Sequence, residues 1–183
     1  LGDVYKRQMD ALSPSDPNER AYTLWVLAQA DAVPVSRVLT LYDRRAQMSH
    51  FGRAFLALAL DQAGGPDHAE RVQGLLADLG GAAQVSATGA SWAEGQRDAR
   101  TMGSDTRTTA IAVLALSRLD PGNVNLPGAI RWLMTERREG HWDTTQETAW
   151  AVLGLTEAMV STGELKADYR YTVTLNQAEL GQG

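Results

Sequence analysis

Gly140-His141-Trp142-Asp143-Thr144-Thr145-Gln146-Glu147-Thr148-Ala149-Trp150-Ala151-Val152-Leu153-Gly154-Leu155 joins a glycine turn, a tryptophan, a helix cap and an almost wholly apolar helix in sixteen residues. It has an echo. Thr108-Thr109-Ala110-Ile111-Ala112-Val113-Leu114-Ala115-Leu116 reads as the same helix 39 positions earlier. A helix that recurs with its connectors marks a repeat architecture.

Working outward, two kinds of helix alternate. Ala21–Ala28, Ala54–Leu60, Ala110–Leu116 and Ala149–Leu155 are apolar nearly all round. Such a helix is expected to be buried on every side, and these segments are too short for a membrane. Between them lie amphipathic stripes: Val35, Val38, Leu39 and Tyr42; Val72, Leu75, Leu76 and Leu79; Leu126, Ile130, Leu133 and Met134. Each predicts a helix with one apolar and one wet face. Pro34, Pro66 and Pro127 stand at or near the first helical positions, where a missing N–H costs nothing. Asp16-Pro17-Asn18-Glu19 offers an N-cap, and Thr144 with Glu147 has capping-box spacing. Gly80 to Ser104 reads as a loop, with an alternating patch at Gln84-Val85-Ser86-Ala87 that suits a short hairpin.

Alternating buried and surface helices predict an all-α fold of two concentric layers, an α/α-toroid or a solenoid of helical hairpins. Three inner–outer pairs and a fourth inner helix are countable, which makes the toroid partial. After Gly163 the texture changes. Tyr169, Tyr171, Val173 and Leu175 alternate along Tyr169–Asn176 as in a β-strand. A lone strand is not stable in water, so it is expected to open a truncated β domain. The expected organisation is a non-native scar at 1–8, a toroid portion at 9–163 and the start of a β domain at 164–183.

Composition narrows the function classes. The chain has 183 residues, 44% of them hydrophobic, and a net charge of −5. That supports a sizeable core and argues against a nucleic-acid partner, which needs clustered Lys and Arg. There is no cysteine, so disulfides, thiolate metal sites and cysteine nucleophiles are excluded for the chain as given. His50, His68 and His141 are scattered without metal-ligand spacing, and His68, beside Asp67 and Glu70, reads as a solvated surface residue. No metal or cofactor is expected. Asp143 and Glu147 are spaced to share a helix face; capping and the helix dipole account for both, with Glu139 nearby. Thr145 and Gln146 would start an inner helix, where polar groups satisfy end amides. The five tryptophans read as packing wedges before they read as a ligand cavity. P-loop, dinucleotide-binding and nucleophile-elbow motifs are absent. No catalytic, cofactor-binding or metal residue is therefore assigned, and the chain is read as not an enzyme.

Thr108–Asp120, then Ile130-Arg131-Trp132-Leu133-Met134, then Gly140–Trp150 resemble the thioester domain of the α2-macroglobulin and complement family, its bacterial branch above all. Ser49–Ala59 is similar to bacterial members as well. The resemblance covers Asp16 to Gly163, and the Asp168–Asn176 strand resembles the β segment that follows this domain. It implies an α/α-toroid within a broad-spectrum endopeptidase inhibitor that traps proteases. The implied partners are target proteases and other domains of the same parent chain. The implied location is the periplasm, cell envelope or exterior. The family's Cys-x-Glu-Gln thioester motif does not occur here, so no reactive residue is carried over and the motif is expected upstream. A terpene-cyclase or prenyltransferase-like toroid is the alternative, since Glu136–Trp142 resembles a cyclase repeat, but it occurs once and no Asp-x-Asp-Asp motif accompanies it. A non-catalytic helical-repeat scaffold is the third reading.

Overall fold

A computed structural model describes residues 16–94, 102–165, 170–176 and 178–182. The proposed scar at 1–8 lies outside them. Among the described residues the chain is mostly helical, with seven α-helices and two small antiparallel strand pairs. The helices are α1 (Pro17–Gln29), α2 (Val35–Tyr42), α3 (His50–Ala63), α4 (Pro66–Ala82), α5 (Asp105–Leu119), α6 (Leu126–Glu136) and α7 (Thr145–Thr162).

The odd-numbered helices form one row: α1 packs on α3, α3 on α5 and α5 on α7. Of the even-numbered helices, α2 packs on α1 and α3, α4 on α3, and α6 on α5. The row helices share a device that the others lack. Asp16, Ser49, Ser104 and Thr144 each accept a first-turn amide through the side chain. No side chain caps α2, α4 or α6. A side-chain cap contributes roughly 1 kcal/mol and holds the direction of chain entry. The capping box of Thr144 and Glu147 is complete, with both bonds at 3.1 Å, and Gly163 ends α7 in the left-handed conformation.

Burial departs from the expectation for two of the four apolar helices. Helices α3 and α5 are buried nearly all round, from Phe51 to Leu60 and from Arg107 to Ser117. Helix α1 instead exposes Tyr22 and Val26, and α7 exposes Val152, Leu153, Met159 and Val160. Along their lengths α7 lies against α5 and α1 against α3, and α7 meets α1 and α3 through the Trp150 ring. Apolar composition requires a partner surface but cannot supply one. The amphipathic stripe of α4 is buried as read, whereas Val35 of α2 and Met134 of α6 reach solvent.

The glycine-rich connection is also shorter than expected, because α4 runs through Gly80 and Gly81. The alternating patch does form a hairpin: β1 (Gln84–Ser86) pairs antiparallel with β2 (Gly89–Ser91), and β2 packs on α6. Trp92 follows at once and is fully buried. Its indole N–H donates to the Leu79 carbonyl in the last turn of α4 (2.7 Å), and its backbone N–H to Thr109 Oγ1 of α5 (3.0 Å). Trp142 repeats both bonds one unit later, to the Leu133 carbonyl of α6 (2.9 Å) and Thr148 Oγ1 of α7 (3.1 Å). Thr109 and Thr148 are themselves 39 positions apart, so the sequence echo includes the acceptor of one wedge bond, although the two tryptophans do not share that spacing.

At the end of the chain the strand is not alone. Strand β3 (Thr172–Leu175) pairs antiparallel with β4 (Ala178–Gln182), with an irregularity between Val173 and Thr174. Asn176 opens the reversal at φ 50, a left-handed value that asparagine tolerates. Short, Gly- and Gln-containing β4 carried no alternation to announce it. Tyr169, one of the four residues read on the strand's face, lies outside the described residues.

Candidate functional site

The row helices bring their N-terminal ends together, and a chain of polar bridges links each to the next. Asn18, in the first turn of α1, accepts from Ser49 through both its backbone N–H and its hydroxyl (2.9 Å each). Gly52 makes room for that approach, since a Cβ there would lie 2.2 Å from Asn18 Oδ1. Glu94, in the connection before α5, accepts from the Phe51 amide of α3 (3.2 Å) and from Thr108 Oγ1 of α5 (3.3 Å). Buried Glu147 of α7 accepts from the Ser104 hydroxyl, the cap of α5. Each bridge satisfies end groups that a packed helix otherwise leaves without water. The expectation for Glu147 as a capping residue therefore holds, and its second oxygen adds a link between helices.

Against this rim lies a pocket of about 290 Å³. Its walls include Tyr22 of α1, Phe51 of α3 and Trp150 of α7, and its polar groups include Glu19, Arg107 and Gln146. The aromatic walls continue into the core. Trp150 stands edge-on to Tyr22 (6.2 Å between ring centroids) and Phe55 (5.2 Å), and Trp25 stacks on Phe55 (5.1 Å). Arg107 is only 6% exposed, and its guanidinium lies 4.3 Å from the centre of the Phe51 ring. That placement combines cation–π attraction with a charge held in a partly dry site. Gln146 Oε1 is shielded from solvent and has no hydrogen-bond partner among the described residues.

Of the polar side chains weighed above for chemistry (the three histidines, Glu139, Asp143, Thr145, Gln146 and Glu147), Gln146 alone lines this pocket. It satisfies no end amide, contrary to expectation, because the capping box already does so. Asp143 is exposed and precedes the Thr144 cap, so it shares no helix face with Glu147. Glu139 is exposed in the turn, at φ 48, and His141 two residues on donates from Nδ1 to the Trp142 carbonyl. His68 is a correction of another kind. It is buried rather than solvated, at 8% exposure, because it folds back against Gly65 at the start of α4. Trp92 and Trp142 are packing wedges as read, while Trp150 lines the pocket. Arg107 and Tyr22 went unassigned. Arg107 stands among polar neighbours, Asp105, Thr106, Thr108 and Thr109, so nothing in the local sequence marks it for burial.

Among the described residues, the pocket's lining holds no nucleophile paired with a base. Among the described residues, no group of three or more His, Asp or Glu side chains is placed to hold a metal. No helix among them is long and apolar enough to cross a membrane. Comparison with family models, curated proteins and solved structures yields no match for this chain.

Proposed function

We propose that the helices form two layers of a partial α/α-toroid, and that the chain is a portion of a bacterial α2-macroglobulin-like endopeptidase inhibitor. The observation that carries the reading is the repeated unit. Helices α5 and α7, which carry family-like sequence, are each tied to the preceding helix through a buried tryptophan that makes one Trp–Thr and one Trp–Leu hydrogen bond. In this reading the chain is a non-catalytic structural part, its parent acts outside the cytoplasm, and target proteases meet the parent as a whole. Any thioester would lie elsewhere in the parent, because this chain has no cysteine.

The deciding experiment uses the parent reading frame. It should encode a Cys-x-Glu-Gln motif before this segment, and the purified parent should protect a large protein substrate from several unrelated endopeptidases. A parent that protects nothing and lacks β domains around this segment would reject the proposal. The 183-residue chain alone should form no covalent adduct with a protease on a denaturing gel.

The aromatic pocket favours one other reading, a terpene-cyclase-like toroid. Turnover of a polyprenyl diphosphate or an epoxidised triterpene by the folded chain would establish that reading in place of the first.

A further inference from the structure

We infer that the pocket at the N-terminal rim is a binding site for a free aromatic amino acid. The pocket measures about 290 Å³, enough for a ligand of a dozen or so heavy atoms. Tyr22, Phe51 and Trp150 present aromatic surface from three different helices, the arrangement that holds a planar ring by edge and face contacts. A ring alone does not explain the polar groups. A purely apolar ligand would cover Glu19, Arg107 and Gln146 with hydrocarbon, and covering polar groups without replacing their hydrogen bonds is costly. A phosphate or dicarboxylate would meet the Glu19 carboxylate as well as the Arg107 guanidinium. A zwitterion suits both charges.

In this pose the ligand carboxylate lies toward Arg107 and its ammonium toward Glu19 and Gln146 Oε1. The Gln146 oxygen is the most pointed of the three, since it is shielded and has no donor among the described residues. An ammonium offers three. Arg107 and Glu19 both have interactions within the protein. They need not give these up, because a guanidinium carries five N–H groups and a carboxylate about four lone-pair sites. The site is independent of the protease-inhibitor reading, which calls for no small ligand.

The test is calorimetric titration of the folded 183-residue chain with L-phenylalanine, followed by two-dimensional NMR of the indole N–H groups. Saturable binding of one equivalent is expected. L-Alanine, phenylacetate and phenethylamine should each bind at least about ten-fold more weakly, as loss of a ring or of one charged hydrogen bond implies. The Trp150 indole signal should move on titration. Those of Trp92 and Trp142, tied to backbone carbonyls far along α4 and α6, should stay. Glu19→Gln and Tyr22→Ala, both at partly exposed positions, should weaken binding about ten-fold while leaving the helical circular-dichroism signal unchanged. Absence of binding by L-phenylalanine overturns the inference. So does equal binding of phenylacetate or phenethylamine, which would show that one charge goes unused. If either variant loses helicity, the Trp150 shift in the unmodified chain decides instead, and its absence at saturation refutes the site.

Discussion

Helices α5 and α7 carry the same short text and live in different surroundings. Val113 and Leu114 of α5 are 0% and 4% exposed, whereas Val152 and Leu153, their counterparts 39 positions on, are 51% and 50% exposed. Identical residues in an identical frame thus lie in a core at one place and at a surface at the other. The difference is neighbours. Helix α5 is flanked by α3 and α7 and covered by α6, while α7 lies along α5 and meets α1 and α3 at the Trp150 ring, which leaves Val152 and Leu153 exposed. In a repeat architecture each unit is buried by the next, and stability accumulates through those interfaces.

The largest effect is expected from truncating the paired leucines. Leu114→Ala should cost about 2–5 kcal/mol in urea unfolding, as removal of a buried leucine does. Leu153→Ala should cost under about 1 kcal/mol, since half of that side chain is already wet. Equal losses at the two positions would show that α7 is covered in solution as α5 is, and would break the comparison.

Next in size is the seam between the two helices. Gly154 stands where α5 has Ala115, and a Cβ added there would lie 2.5 Å from the Ala110 carbonyl oxygen. Neither partner is a flexible side chain, so Gly154→Ala should push the helices apart and cost about 1–3 kcal/mol, read as a lower thermal midpoint. A stabilised protein, as expected for an alanine in a free helix, would place α7 further from α5 than described.

The two wedges should respond alike. Trp92→Phe and Trp142→Phe each remove an indole N–H from a buried carbonyl, and each should cost about 1–3 kcal/mol by chemical denaturation. A large loss at Trp92 with none at Trp142 would mean that the second unit is not a working copy of the first.

The smallest effects concern the caps and the open face of the last helix. Thr144→Ala should destabilise by roughly 1 kcal/mol. The change Val152→Thr, on the exposed face of α7, should fall within about 0.5 kcal/mol of zero. A clear loss at Val152 would again point to a covered face.

Helix positions were legible because apolar residues recur with the helical period and because Ser, Thr, Asp and Pro mark the starts. The hairpin β1–β2 was legible in outline from the alternation at Gln84–Ala87. Strand β4 was not, because Ala178-Glu179-Leu180-Gly181-Gln182 has neither alternation nor β-branched residues to mark it. The pocket was the least legible part. Glu19, Phe51, Arg107 and Trp150 come from four segments spread over more than a hundred residues, and no local spacing connects them. His68 misled for a related reason: its acidic neighbours suggest solvent, but the turn at Gly64 and Gly65 folds it inward.

By itself the sequence determined the alternation of helices, their caps and the 39-residue echo, because periodicity and end chemistry act over a few neighbouring residues. Only the tertiary structure decided which apolar faces are covered, which side chains meet at the rim and where a buried charge rests. Burial is a property of pairs of surfaces, and helix α7, apolar from Ala149 to Leu155 yet exposed at Val152 and Leu153, shows that composition supplies only one surface of each pair.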